Sequence, residues 1–319
     1  MSGTRPPHRR PVLRTTPTLS VEQTDAVLRL ADEASRADGA FPLGEHVVMH
    51  LRHGGLAAQH LLVVDPATEE LLGYAHLDAS DPLEGPSAEL AVSPRARRRG
   101  VGTALLDALV AADPGGRLAL WAHGTDTAAA QLAAARGFRQ VRNLWQMRRS
   151  LFAALDPIEV PAGFRLRSFD AARDIEPWLE LNARSFTNLP DQAGWTRRDL
   201  DVRLAEPWFD PGGFLLAEDP DGRLVGFHWT KVHGHHHAGP GTSHGHPHDP
   251  LGEVYVLGVD PECRGHGLGR SLTLAGLHHL RAAGLPTALL YVDAGNAPAI
   301  ALYRSLGFAV WDCDTLFRR

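Results

Sequence analysis

One glycine-rich segment occurs twice in this chain, and that repetition constrains the fold more than any other feature. The later occurrence runs Val254-Tyr255-Val256-Leu257-Gly258-Val259-Asp260-Pro261, then Arg264-x-x-Gly267-x-Gly269. Its β-branched and aromatic run predicts a strand. Asp260-Pro261 ends that strand, because proline cannot donate to a ladder. Leu268, Leu272 and Ala275 then recur at helical spacing. The earlier occurrence runs Leu90-Ala91-Val92-Ser93-Pro94, then Arg97-x-x-Gly100-x-Gly102, with Val101, Leu105, Ala108 and Leu109 continuing as a helix. Leu90 and Leu257, Pro94 and Pro261, Arg97 and Arg264, Gly100 and Gly267, and Gly102 and Gly269 all differ by 167 positions. An offset held across a whole strand, turn and helix marks a duplicated domain. In each copy the glycines let backbone N–H groups close on an anion, and the helix N-terminus adds partial positive charge.

Length fits two domains of ordinary size: 319 residues, with 44% apolar content to fill two cores. A net charge of -5 argues against nucleic acid as the main partner. No apolar run is long enough to span a membrane. The first residues carry arginines with no apolar stretch behind them, so no secretory signal is read. Cys263 and Cys313 are the only cysteines, which suits a reducing, cytoplasmic setting. Among the 32 basic residues Lys231 is the only lysine. An arginine-rich genome explains the missing lysines but not the one that remains. Lysine is a compact point charge and arginine a planar fork, so Lys231 is expected where a fork will not fit.

Residues 1–17, with four arginines and four prolines, read as a disordered tail. Domains are expected at 18–150 and 164–319, joined by a linker at 151–163. In the first, Ser20 and Gln23 form a capping box for a helix from 21 to about 37. A loop follows at 41–45. Strands are expected at 60–64 and 71–77, joined through Asp65-Pro66, and again at 118–121. An alanine-rich helix at 127–136 stops at Gly137, and a strand at 138–147 closes the half. The second half repeats the scheme: strand 164–167, helix 171–183, loop 189–192, and a helix capped by Thr196 and Asp199. Strands 214–218 and 224–232 pair around Asp219-Pro220-Asp221-Gly222. After the glycine segment come strand 288–292, helix 297–305 and a last strand from 308. An insertion at 233–250 carries seven histidines. Its glycines and prolines leave ligand geometry unfixed, so it reads as a mobile surface loop, and no metal is called for.

Arg-x-x-Gly-x-Gly between a strand and a helix lacks the endings of a P-loop or a dinucleotide fold. It resembles the pyrophosphate loop of the GNAT superfamily. That resemblance implies an α/β fold of two tandem GNAT domains, each a mixed, mostly antiparallel central sheet flanked by helices, with acetyl-CoA as cosubstrate. Acetyl transfer to an amine needs a base for the amine proton, a donor for the oxyanion and an acid for the thiolate. Glu253, opening its strand, can serve as base, directly or through water. Gly258 inside that strand signals a bulge or close backbone approach. Asn296-x-x-Ala299-x-x-Leu302-Tyr303-x-x-x-Gly307-Phe308 is similar to the GNAT segment whose tyrosine protonates the leaving thiolate. Aligning Gly307-Phe308 with Gly137-Phe138 sets Ala133 opposite Tyr303 and Asp126 opposite Asn296. The first copy keeps the phosphate loop and lacks the acid, so it is expected to hold acetyl-CoA without turning it over.

Further segments resemble the mycothiol synthase family over nearly the whole chain. They are Pro42-x-Gly44-Glu45, Trp121-Ala122-His123-Gly124, Gln146-Met147-Arg148-Arg149, Gly194-Trp195-Thr196, Trp208-Phe209-Asp210-Pro211, Gly226-Phe227-His228-Trp229-Thr230-Lys231-Val232-His233 and Gly252-Glu253 through Pro261. The resemblance implies acetylation of the cysteinyl amine of a cysteine–glucosamine–inositol conjugate, a small-molecule partner handled by a monomer. Carried over by position, Glu45, Asp191, Lys231, Glu253 and Tyr291 contact that substrate. Leu90, Ala91, Val92, Arg98, Arg99, Gly100, Val101, Gly102 and Thr103 would bind a first acetyl-CoA. Leu257, Gly258, Val259, Arg264, Gly265, His266, Gly267, Leu268, Gly269 and Arg270 would bind a second, together with Asn296, Ala297, Pro298, Ala299, Ile300 and Ala301. Carboxylates suit the substrate's ammonium and donors its hydroxyls. The histidine insertion departs from the family pattern, as does Asp191, where glutamate is equally expected. Two other readings stand beside this one: a GNAT acting on another amine such as an aminoglycoside, and a non-enzymatic acetyl-CoA sensor.

Overall fold

The computed structural model describes residues 10–55, 57–82, 84–125, 127–187, 190–233 and 250–319, and within these the side chains of Thr127, Pro190 and Asp191 are not described. The chain divides into two compact units. One is Met1–Trp145 with Asp293–Gly295 and Asp312–Arg319; the other is Gln146–Val292 with Asn296–Trp311.

In the first unit the order is β1 (Val12–Thr16), α1 (Val21–Asp38), α2 (Glu45–His53), β2 (Ala58–Val64), β3 (Leu71–Asp78), β4 (Ser87–Val92), α3 (Val101–Ala112), β5 (Ala119–Ala122) and α4 (Thr127–Ala134), leading into β6 (Arg139–Ser150). Strands β1 to β4 pair antiparallel in sequence order, and β4 and β5 run parallel. The capping box forms: Gln23 N–H donates to Ser20 Oγ at 3.3 Å and Ser20 N–H to Gln23 Oε1 at 2.9 Å. Leu61, Ala75, Leu105, Leu109 and Leu118 fill the core between α3 and the sheet. Each leucine sequestered this way contributes about 1.5–3 kcal/mol.

The second unit follows with β7 (Arg165–Ser168), α5 (Ile175–Ser185), α6 (Pro190–Ala193), α7 (Arg197–Leu204), β8 (Phe214–Glu218), β9 (Leu224–His233), β10 (Leu251–Val259), α8 (Leu268–Ala282), β11 (Thr287–Asp293) and α9 (Ala297–Ser305). Strands β7 to β10 are antiparallel neighbours, and β10 and β11 run parallel. The core here is aromatic. Trp229 stacks on Phe214 with centroids 4.4 Å apart, and Trp178 meets both rings edge-on. The last strand is β12 (Ala309–Arg318). The tandem α/β architecture, mixed and mostly antiparallel with flanking helices, is the one the resemblance implied.

Several expectations give way. Residues 1–9 and 234–249 lie outside the described residues, but residues 12–16, read as tail, form β1, whose Val12 to Thr16 pair with Val64 to His60. Helix α2 and the short helix α6 stand where loops or nothing were expected. Helix α5 starts at Ile175 rather than 171, because Arg167 clamps Asp174 at 2.5 and 2.8 Å and holds the preceding residues as a turn. Residues 312–319, assigned by sequence to the second domain, cluster with the first unit: Thr315, Leu316, Phe317 and Arg318 pair antiparallel with Ala122, Trp121, Leu120 and Ala119.

Candidate active site

The second unit builds its cleft from a split between two strands. β10 and β11 pair only through Leu251–Val254 and Thr287–Leu290. A register shift then marks a bulge between Val254 and Val256, which bends the strand. Beyond it Leu257, Gly258 and Val259 pair with His228, Phe227 and Gly226 of β9, and the β11-facing edge carries no ladder bonds among the described pairings. An amide-bearing arm can add to such an edge as another strand. Gly258 is the close approach expected: a Cβ there would lie 2.5 Å from Phe227 Cε1.

The turn beyond it is set by its own bonds. Asp260 accepts from Glu262 N–H, and Arg264 Nε donates back to the Val259 carbonyl at 3.3 Å. The Arg264 fork also reaches the Ser185 carbonyl at 2.9 Å, so this side chain braces the loop from behind. Gly265 and Gly267 take φ of +84° and +83°, left-handed values that turn the backbone toward the start of α8. Leu268, opening α8, is buried and anchors that helix. Gly269 follows it in the first turn, His266 Nδ1 lies 3.3 Å from the Cys263 carbonyl, and Arg270 bonds Ser305 and Asp156.

The first unit repeats the main features of this arrangement. β4 and β5 pair only at Ser87–Ala119 and Ala88–Leu120 before they part. Arg97 Nε donates to the Val92 carbonyl at 3.3 Å, the counterpart of Arg264 and Val259. Gly100 takes φ +83°, and Arg98 takes +60° where the second copy has Gly265. A cavity of about 770 Å³ opens here, lined by Leu90, Ala91, Val92, Arg98, Gly100, Val101, Gly102 and Thr103; Arg99 belongs to the same turn. At its end His123 sits between two carboxylates: Nδ1 is 3.0 Å from Asp314 and Nε2 is 3.3 Å from Glu89. Burial pulls the His123 pKa down, but the charges of Glu89 and Asp314 and the bonds to them outweigh it and push it up to about 10.

The acid and base candidates belong to the second unit. Glu253 stands directly across from Lys231 in the β9–β10 ladder and is buried. Its carboxylate is 2.6 Å from His233 Nε2. Burial pushes the Glu253 pKa up, but the His233 bond and the charges of His233 and Lys231 outweigh it and hold the group below the usual carboxylate range. Lys231 is buried with its Nζ 4.7 Å from the Trp208 ring and 5.0 Å from the Tyr255 ring. Arg203 holds that wall, donating to Tyr255 Oη at 2.7 Å and lying 3.9 Å from the Trp195 ring. His233 and this aromatic enclosure escaped the sequence reading. The tryptophan-rich segments were its only trace.

Tyr303 is buried on α9 against Phe308, and burial alone raises its phenol pKa. Asn296 caps that helix, accepting from Ala299 N–H at 3.2 Å, with Ala297, Pro298, Ile300 and Ala301 in its first turns. Phe308 N–H donates to the Tyr303 carbonyl at 3.0 Å, and Phe138 N–H to the Ala133 carbonyl at 3.1 Å. Those matching bonds align Ala133 with Tyr303, so the first copy has a methyl where the second has a phenol. Asp126 lies outside the described residues. Tyr291 is exposed on β11, its hydroxyl accepting from Gln146 Nε2 at 2.8 Å. Asp191 falls in α6, with its side chain outside the described residues, and Glu45 opens α2 in the first unit.

Comparison with known proteins agrees with both copies. The acetyltransferase (GNAT) family matches residues 175–308, and the acetyltransferase (GNAT) domain matches 57–140. A mycothiol acetyltransferase of Acidothermus cellulolyticus is 54% identical over 92% of this chain and 90% of its own. One from Thermobispora bispora is 52% identical over 92% and 95%. The solved structure of a tandem GNAT protein from the clavulanic acid biosynthesis pathway superposes with a TM-score of 0.71 at 23% identity, covering 97% of this chain and 98% of its own, a likeness of fold. With identity at this level across nearly its full length, and a GNAT domain in each half, the chain belongs to the mycothiol acetyltransferase family of GNAT acyltransferases.

Proposed function

We propose that this chain moves acetyl from acetyl-CoA to the cysteinyl amine of a cysteine–glucosamine–inositol conjugate, releasing mycothiol and CoA. The observation that carries the reading is a buried, ionised Glu253 beside Lys231 at the point where β10 and β11 split, with Tyr303 on the helix that follows β11. An α-amino group has a pKa of about 8, so a carboxylate base need only strip a proton already loosely held. Glu253 takes that proton, directly or through water. The freed lone pair attacks the thioester carbonyl carbon, the C–S bond breaks, and the nitrogen's second proton leaves through solvent as the amide forms, replacing the one Tyr303 gives up. Tyr303, kept protonated by burial, delivers its proton to the departing thiolate. Lys231, Asp191 and Tyr291 contact the sugar-bearing acceptor.

Each copy supplies a split strand pair and an N–H cradle, which fit the pantetheine arm and pyrophosphate of acetyl-CoA. In the second copy Leu257 to Val259 and the loop from Arg264 to Arg270 hold the reacting molecule. The first copy binds a second molecule in its 770 Å³ cavity without turnover, because Ala133 has no proton to give. One chain carries both parts, so a monomer suffices. Incubating the protein with acetyl-CoA and the cysteinyl conjugate should release free CoA and the N-acetyl product. Equilibrium dialysis should count two acetyl-CoA per chain. Glu253→Gln should lower kcat/KM by about 10²–10⁴-fold, and Tyr303→Phe should lower kcat with little change in the KM for acetyl-CoA. Unchanged CoA release in both variants would sink the assignment.

A further inference from the structure

In the first unit, away from its cavity, three side chains converge that the acetyl-transfer reading does not use. His46 and His50 are four residues apart on α2 and so share a face. Asp78 ends β3 beneath them, buried. One ligand atom from each of the three lies within 4.8 Å of the others. His46 Nε2 is 2.6 Å from Asp78 Oδ2, and the other oxygen, Oδ1, accepts from the Ser80 N–H at 2.8 Å. The two imidazole rings are 4.0 Å apart between centroids.

Behind this trio runs a buried polar chain. His50 Nδ1 is 3.1 Å from His76 Nε2, His76 Nδ1 is 3.4 Å from Tyr74 Oη, and Tyr74 Oη is 2.7 Å from His60 Nδ1. Such a relay can run in either direction, as the histidine tautomers choose. With a cation bound it runs one way: His50 donates from Nδ1 to His76, His76 to Tyr74 and Tyr74 to His60, which turns the His50 Nε2 lone pair to the metal. That is the second-nitrogen hydrogen bond a ligating histidine needs.

We propose that His46, His50 and Asp78 form a binding site for a divalent transition cation of the zinc class, a ligand of this chain separate from the acetyl-transfer chemistry. Two imidazoles and a carboxylate suit that class. The proton shared by His46 and Asp78 gives way to the cation, and exposed His46 swings to open the ligand spacing. The remaining coordination position faces solvent, where water completes it.

The test uses the full chain with His235, His236, His237, His244, His246 and His248 replaced by glutamine, so that the zinc counted is not shared with those histidines. After stripping with chelator, zinc is titrated against a chromophoric competitor. One equivalent should bind, and saturating zinc should raise the melting temperature by about 5 °C. His46→Ala, an exposed position whose loss does not threaten folding, should weaken binding at least about tenfold and abolish the melting shift. Asp78→Asn should do the same. If the loop-substituted chain binds no zinc, or if His46→Ala binds it unchanged, the proposal is wrong.

Discussion

Lys231 shows how much one side chain can report. The enclosure of Trp208 and Tyr255 around its ammonium stabilises a desolvated cation by about 2 kcal/mol. It also presents that charge to Glu253, which it helps to keep ionised. A guanidinium is broader and flat, so Lys231→Arg should keep the charge yet lower kcat/KM by at least about tenfold, equivalent to about 1.4 kcal/mol. Lys231→Met should act differently. With the positive neighbour gone, the Glu253 pKa rises, and the acid limb of the kcat/KM profile should move to higher pH. A profile that stays in place would mean Lys231 does not tune the base. His123 makes the opposite kind of prediction. Its folded pKa lies above its unfolded value, so its contribution to stability is complete below about pH 6.5 and disappears as pH rises toward 10. Deprotonation leaves the buried Glu89 and half-buried Asp314 without their counter-charge. Melting temperatures from pH 7 to 10.5 should therefore fall, and His123→Gln should flatten that fall.

At the level of elements, local chemistry was legible and distant pairing was not. Ser20, Thr196 and Gly137 announce their helix ends by residue type, and the structure forms each cap. The glycine loops could be read because φ near +83° leaves few other residues eligible. Strand β1 escaped because an exposed edge strand needs no apolar alternation. Val12-Leu13-Arg14-Thr15-Thr16 looks like tail until Val64 to His60 pair with it. Helix α2 escaped because Gly44 gives its N-terminus no side-chain cap and its histidines blur the periodicity. The aromatic enclosure of Lys231 was invisible because Trp208 and Tyr255 come from separate segments. Gly258 was a strand residue whose own sequence signal reached the cleft. Gly258→Ala would put a methyl against the Phe227 ring and cost about 1–3 kcal/mol through overpacking. It should lower the melting temperature and raise the KM for acetyl-CoA more than it lowers kcat.

Across the molecule, sequence order and unit membership part company at the end of the chain. Residues 312–319 supply the strand beside β5 and the carboxylate, Asp314, that holds His123 and accepts from Gly124 N–H at 3.0 Å. Deleting those residues should strip the first unit of the strand beside β5 and expose the β5 ladder. We expect a fragment of residues 1–150 to aggregate or melt well below the full chain, and a peptide of residues 309–319 supplied in trans to recover part of the loss. Circular dichroism and size-exclusion chromatography check this. A fragment as stable as the intact chain would contradict it.

That late-arriving strand has a consequence during synthesis. Translation runs at about 5–20 residues per second, and Asp312 comes 167 positions after Trp145. For roughly 10–30 seconds the nascent first unit waits on the ribosome with β5 unpartnered on one side. It is then a candidate for chaperone capture, and it reaches its native state only once residues 312–319 have been made.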